Sequence, residues 1–240
     1  MPRRRTRRPP SATVLVGELS IGVTLLGFAA LAGYELIRRP WTNRIDAAGF
    51  REFPAGVHAH LFNRIVEIGS LPFLLGGIAL AILLSVWRDV PRAIACVVGP
   101  VAAVLVTEQV AKPLVARHLT AFGGDSYPSG TVAAAAALVA VVTLAVPLAL
   151  RPAVALAGCG VIVAVGIAVV GLRWHYPTDA IGGACVGVGS VLTLDALAHL
   201  PSVIGAAADR RHAARVPDRY AVPPRREDRT EELPRAIGGY

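Results

Sequence analysis

Charge is scarce in this chain. Only 17% of its 240 residues are Asp, Glu, Lys or Arg, while 54% are hydrophobic. Soluble domains carry roughly 25% charged residues, and a domain of this length could not cover its surface with so few. The shortage excludes disorder, a coiled coil and most soluble folds, and leaves a polytopic membrane protein. Lysine is scarcer still. Lys112 is the only one among 24 basic residues, so the single Lys is more informative than any one Arg. Cysteine is limited to Cys96, Cys159 and Cys185, all in apolar runs. These read as small buried hydrophobes, with no disulfide framework and no paired metal ligands.

The formal net charge of +8 would suit a nucleic-acid partner if it formed a patch. It is instead concentrated at the ends. The chain opens MPRRRTRRPP, and residues 201–240 are polar, charged and Pro-containing. Such flanks fit cytoplasmic segments beside anionic lipid, so membrane lipids are the expected neighbours and nucleic acid is not. The first apolar run, about 13–36, is longer than the core of a cleaved signal peptide.

Six stretches have the ~20 apolar residues that a bilayer core requires. They run about 13–36, 66–87, 93–113, 130–149, 153–172 and 179–200. The expected fold is therefore all-α, a bundle of six transmembrane helices. Its parts are a basic N-terminus (1–12), a six-span domain (13–200) with an interfacial outer loop (38–64), and a charged, partly disordered tail (201–240). Placing both termini in the cytoplasm puts 16 Arg and Lys inside against 8 outside, as the positive-inside rule favours. Gly183 and Gly187 form a small-xxx-small pair and Ala133 to Ala137 an alanine run. Both suit close helix packing.

On this topology three polar clusters meet at the outer face: TEQVAKPLVARH, GGDSYPSGT and GLRWHYPTD. They carry Lys112, Arg117, His118, Asp125, Ser129, Thr131, Arg173, His175 and Asp179. Ionisable residues gathered at span ends mark a functional site, and these suit phosphoryl transfer. Lys112 and Arg117 can neutralise phosphate oxygens. Ser129 and Gly130 open a helix whose free N–H groups and dipole face an anion. His175 can attack phosphorus if its other ring nitrogen is held as N–H, and Asp179, four residues on, is spaced to hold it.

Each residue also has a structural reading. Lys112 can pair with Glu108 one turn back. Arg117 can anchor at the interface, and Ser129 or Asp179 can cap a helix. Tyr127, Trp174 and Tyr176 suit an aromatic belt. Arg173 beside Trp174 can be structural, and His118 reads as a loop residue. His58 and His60 lack a third metal ligand. Asp195 and His199, one turn apart at the inner end of the sixth span, read as a local polar pair.

The constellation resembles the type-2 phosphatidic acid phosphatase superfamily, which includes lipid phosphate phosphatases and bacterial polyprenyl-diphosphate phosphatases. Its motifs are Lys-x6-Arg-Pro, Pro-Ser-Gly-His and Ser-Arg-x5-His-x3-Asp. Lys112 matches the first, but Leu119-Thr120 stands where Arg-Pro is usual, and Arg117 matches an Arg often found in the spacer. Pro128, Ser129 and Gly130 match the second, with Thr131 in place of His. His175 and Asp179 match the third, with Ala168 and Val169 in place of Ser-Arg.

The resemblance implies a multi-pass cell-membrane phosphatase acting at the extracytoplasmic face on a lipid phosphate or diphosphate. His175 would form a phosphohistidine and Asp179 would orient it. Lys112, Arg117, Ser129, Gly130 and Arg173 would hold the phosphate, and no metal or other cofactor is implied. In the family the second-motif His protonates the leaving group, which a Thr hydroxyl cannot do at neutral pH. Three outcomes stay open: a leaving group that needs less acid, a proton supplied by His118, or loss of turnover. A relative that binds a phospholipid or partner protein without turnover is the alternative. Oligomeric state, the particular lipid and the role of the tail are not legible.

Overall fold

The structure is a computed structural model that describes residues 11–52, 58–86, 89–119 and 124–215, with the side chains of Leu36, His118, Leu119 and 209–215 outside that description. A compact unit extends through Val203. A second begins at Ile204, and its described residues continue a helix to Arg215.

Local chemistry starts the helices. Ser11 caps α1 (Ala12–Leu31) by accepting from the Val14 N–H. Asp89 caps α5 (Val90–Leu105) through the Arg92 N–H, with Pro91 in the first turn. Ser129 caps α7 (Gly130–Ala145) through the Val132 N–H, the usual use of Ser at this position. Between these lie α2 (Pro40–Glu52), α3 (Ala59–Val66), α4 (Leu71–Ser85) and the single-turn α6 (Lys112–Val115). A two-residue antiparallel pairing joins β1 (His118–Leu119) to β2 (Gly124–Asp125). The chain continues as α8 (Arg151–Gly171) and α9 (Pro177–Arg215). A π-helical segment, Val106–Ala111, links α5 to α6.

Among the described residues four helical segments are long and apolar enough to cross a membrane: Ala12–Glu35, Val90–Val115, Leu148–Gly171 and Pro177–Ala208. A fifth crossing arises if Ala59–Gly69 and Leu71–Ser85, bent by 42°, act as one span. The six expected spans each fall on a helix, with two differences. The second is a bent pair. The fourth, α7, has 16 residues, about 24 Å of helix at 1.5 Å per residue, which is short for a ~30 Å hydrocarbon core. The interfacial segment is helical over Pro40–Glu52. The sixth span does not stop near residue 200, and its helix runs on to Arg215. Residues 216–240 and 1–10 lie outside the described residues.

The short α7 is the buried centre of the bundle. Ala133 and Ala135 to Ala137 are fully enclosed. The alanine run and the glycine pair meet each other. A Cβ on Gly187 would collide with the Ala133 carbonyl and crowd Ala136, and one on Gly183 would strike the Ser129 carbonyl. Such small faces let backbones approach closely, which is how helices associate where lipid removes the hydrophobic drive. This contact sets the start of α9 against the turn that opens α7.

Candidate functional site

The turn at residues 126–130 anchors the site. Tyr127 is buried and donates its hydroxyl to the Ala29 carbonyl at 2.6 Å. Burial pushes its phenol pKa up. It is a packing residue, not the interfacial belt residue expected, because Gly33 and Gly182 lie flat against its ring. The Ser129 N–H donates to the Asp179 carbonyl at 3.0 Å, tying the turn to α9.

His175 leaves α8 through a tight reversal. Arg173 adopts a left-handed conformation (φ 64°). The Arg173 N–H then reaches the Val170 carbonyl and the Trp174 N–H the Val169 carbonyl, the bonding of a Schellman helix end. The His175 ring lies with Nδ1 2.9 Å from the Ser126 carbonyl oxygen. A carbonyl only accepts, so Nδ1 carries a hydrogen, and in the neutral ring the lone pair is then on Nε2. Among the described residues none meets Nε2 with a hydrogen bond.

Asp179 does not perform the orienting role expected of it. Its Oδ2 is 3.8 Å from Nδ1, beyond hydrogen-bond reach. The Ser126 carbonyl holds that position instead, because Asp179 is occupied elsewhere. Oδ2 accepts from the Tyr176 N–H at 2.9 Å, and Oδ1 accepts from Arg117 at 2.7 Å. Asp179 thus caps α9 from its third position, the back-bonding half of a capping box.

Arg117 is likewise engaged. One guanidinium nitrogen donates to the Thr178 hydroxyl at 2.8 Å and to Asp179, and the other to Asp46. The guanidinium also lies 4.1 Å over the Tyr176 ring, a cation–π contact. Tyr176 stacks in turn on Phe50 at 5.0 Å. Arg117 is therefore a clamp between α2 and α9, not an open phosphate ligand. Arg173 is also turned away from the expected role. It donates to the Phe50 carbonyl and lies 4.4 Å over the Phe50 ring.

Asp46 was not read from the sequence. It is buried and accepts from Arg117, from the Thr178 N–H at 3.1 Å and from the Thr178 hydroxyl at 3.0 Å. The periodicity of α2 held the signal. Thr42, Asp46, Gly49 and Phe50 recur at helical spacing, and that face meets Pro177, Tyr176 and Thr178.

Lys112 reaches the same turn from α6. Its ammonium donates to both Glu108 oxygens at 2.8 Å, so the pairing expected one helical turn back is present. Glu108 lies so close to Gly130 that a Cβ there would collide with Oε1. His175 thus meets the turn at Ser126, and Glu108, the partner of Lys112, stands beside it at Gly130. Thr131 faces the bend between α3 and α4, where its methyl would meet any Cβ on Gly69. The side chain of His118 lies outside the described residues, and its backbone pairs with Asp125.

At the far end of α9 the expected local pair is part of a larger cluster. Arg92 holds Asp195 by two bonds, at 3.2 and 3.0 Å. His199 meets the Asp195 carbonyl through Nδ1 at 2.8 Å and Asp89 through Nε2 at 2.9 Å. Burial works to raise the Asp89 pKa, but the His199 hydrogen bond, the Arg92 N–H and the Arg92 charge hold it below the usual carboxylate range.

The profile of the PAP2 superfamily matches residues 74–198, just over half of the chain. No curated protein sequence matches it. The fold is similar to the crystal structure of the first transmembrane PAP2 type phosphatidylglycerolphosphate phosphatase from Bacillus subtilis. The TM-score is 0.60 at 21% identity, over 78% of this chain and 96% of that one. Lys112, the 126–130 turn and the His175–Asp179 segment all lie inside the matched range, on a membrane-type helical bundle, and the chain belongs to the PAP2 superfamily.

Proposed function

We propose that this protein is an integral-membrane phosphatase that hydrolyses a lipid-linked phosphate or diphosphate at the outer membrane face, through a phosphohistidine on His175. The observation that carries this reading is the His175 ring. Its Nδ1 hydrogen is held by the Ser126 carbonyl and its Nε2 lone pair is left for phosphorus. The six apolar helices and the excess of Arg on the inner segments support six crossings with both termini in the cytoplasm.

In the first step Nε2 attacks phosphorus, a P–N bond forms, and the P–O bond to the lipid breaks with its electron pair on oxygen. The ring becomes cationic. The Ser126 carbonyl and the Asp179 carboxylate, 3.8 Å from Nδ1, stabilise that charge. Lys112 and the Gly130 end of α7 receive the phosphate oxygens. Water then attacks phosphorus, releases phosphate and restores the lone pair. General acid help is commonly worth ~10²–10⁴ in rate, and Thr131 cannot supply it. In a lipid diphosphate the bridging P–O bond breaks and the leaving group is the lipid monophosphate, which needs that help least, so lipid diphosphates are the preferred substrates.

The test is phosphate release by detergent-purified protein from a polyprenyl diphosphate, a polyprenyl monophosphate and a phosphatidate. Release should be fastest from the diphosphate and absent in His175→Ala. Equal release by that variant would reject the nucleophile. No release from any lipid by folded wild type would favour a binding protein without turnover.

A further inference from the structure

One side chain of the protein itself pairs with Lys112 and stands beside Gly130, the two elements assigned to the phosphate. Lys112 gives two 2.8 Å hydrogen bonds to the Glu108 carboxylate. That carboxylate also occupies the space beside Gly130 that any Cβ would need. A carboxylate is a two-oxygen anion of nearly the shape of one phosphate edge. We infer that Glu108 is a resident anion in the phosphate site, and that a phosphate group must displace it from Lys112 and the α7 N-terminus in order to bind. This rests on the phosphatase reading above and adds to it an entry threshold.

The geometry favours this over two other roles. Glu108 does not stand as the missing general acid in this arrangement, because both of its oxygens are taken up as acceptors from the Lys112 ammonium. Nor is the pair a buried structural bridge. The Glu108 side chain is 39% exposed and that of Lys112 20%, so the carboxylate has room to leave. The pair sits on the π-helical turn Val106–Ala111 and its C-terminal neighbour. Such turns are frequent at functional sites and widen the local spacing of side chains. The consequence is selectivity by threshold. In a headgroup layer crowded with singly charged phosphodiesters, only a ligand that binds Lys112 and the helix end better than Glu108 does will occupy the site.

The test titrates inorganic orthophosphate into purified protein in uncharged detergent, by calorimetry, for wild type, E108Q and Lys112→Gln. Removing a like charge within ~4–6 Å shifts an ionic equilibrium by about tenfold or more. The E108Q variant should therefore bind phosphate about tenfold more tightly, and Lys112→Gln more weakly than wild type. E108A, which leaves no amide to replace the carboxylate, measures the same quantity if E108Q is poorly folded. In turnover the E108Q variant should lower KM, whereas loss of a general acid would lower kcat. Phosphate affinity of E108Q and E108A equal to or below wild type would overturn the inference and leave the phosphatase reading intact, provided His175→Ala still abolishes turnover. Absence of phosphate binding in all variants would overturn both the inference and the proposed anion site.

Discussion

Histidines sit at the two ends of the 175–199 stretch, the first just before α9 and the second within it, in nearly the same local setting, yet they are chemically opposite. Each ring gives Nδ1 to a backbone carbonyl, Ser126 for His175 and Asp195 for His199. At His199 the Nε2 also faces an oxygen, that of Asp89 at 2.9 Å. A ring between two acceptors needs both hydrogens and has no lone pair to offer. At His175 the Nε2 is left unmatched among the described residues. The charge balance differs in the same sense. Around His199, Arg92, Arg151 and a cationic ring face Asp89, Asp195 and Glu18, three cations against three carboxylates. Among the described residues Arg117 pairs with both Asp46 and Asp179, two carboxylates on one guanidinium. The cationic ring of the proposed phosphohistidine would offset that excess. A closed network reads as a fastener, and a network one cation short reads as a site waiting for charge.

The largest effect should separate the histidines outright. His175→Ala should reduce phosphate release to background with little change in Tm. His199→Ala should keep turnover but lose stability, by about 1.5–3 kcal/mol for hydrogen bonds to charged groups. Loss of turnover in both, with both folded, would erase the distinction between the ends.

Next come the arginines, which should behave alike in stability. Arg117→Ala strands Asp46 and Asp179, and Arg92→Ala strands Asp195. Removing one partner of a buried ion pair costs about 3–5 kcal/mol. Both variants should melt early in detergent, and only Arg117→Ala should also raise KM, because the Thr178–Asp46 bonds are then all of that ion-pair network that holds the start of α9 to α2.

A smaller effect belongs to Tyr127→Phe. It removes the 2.6 Å donor to the Ala29 carbonyl, which still accepts from the Ala32 N–H, and should lower stability by about 0.5–1.5 kcal/mol, the net worth of one hydrogen bond. Thermal unfolding of the variant measures it.

The smallest effect is with acid. The Asp89 pKa is lowered in the folded state. Its contribution is therefore fully present above the ordinary carboxylate pKa of about 3.9 and is lost as pH falls through the lower folded value. Between pH 5 and pH 3 the Tm of wild type should fall more steeply than that of Asp89→Asn. Parallel curves would detach Asp89 from the clamp.

Much of this was legible in the chain because apolar length and residue spacing are local properties. The apolar helices, the close packing at Gly183–Gly187 and at Ala133–Ala137, and the Lys112–Glu108 pair all follow from spacing along one helix or from small-residue patterning. What was not legible depends on partners distant in sequence. Asp46 meets Arg117 across 71 positions and Arg92 meets Asp195 across 103, and no local pattern announces such pairs. Asp179 misled because the i,i+4 spacing to His175 is real, but a carboxylate at a helix start is drawn first to the free N–H of Tyr176 and to Arg117. The expected phosphate-binding role of Arg117 gave way for the same reason, since two buried carboxylates outcompete an absent ligand. The belt expected of Tyr127 and Tyr176 failed because one ring is packed against glycines and the other lies beneath a guanidinium.

The most direct test of the central claim is to quench the protein during turnover of a lipid diphosphate labelled in its terminal phosphate, under alkaline conditions that preserve phosphohistidine, and to map the label by mass spectrometry. The account predicts one phosphoryl group on Nε2 of His175, absent from His175→Ala and never on His199. Label on another residue, or phosphate release with no phosphoenzyme under conditions that trap one, would contradict it.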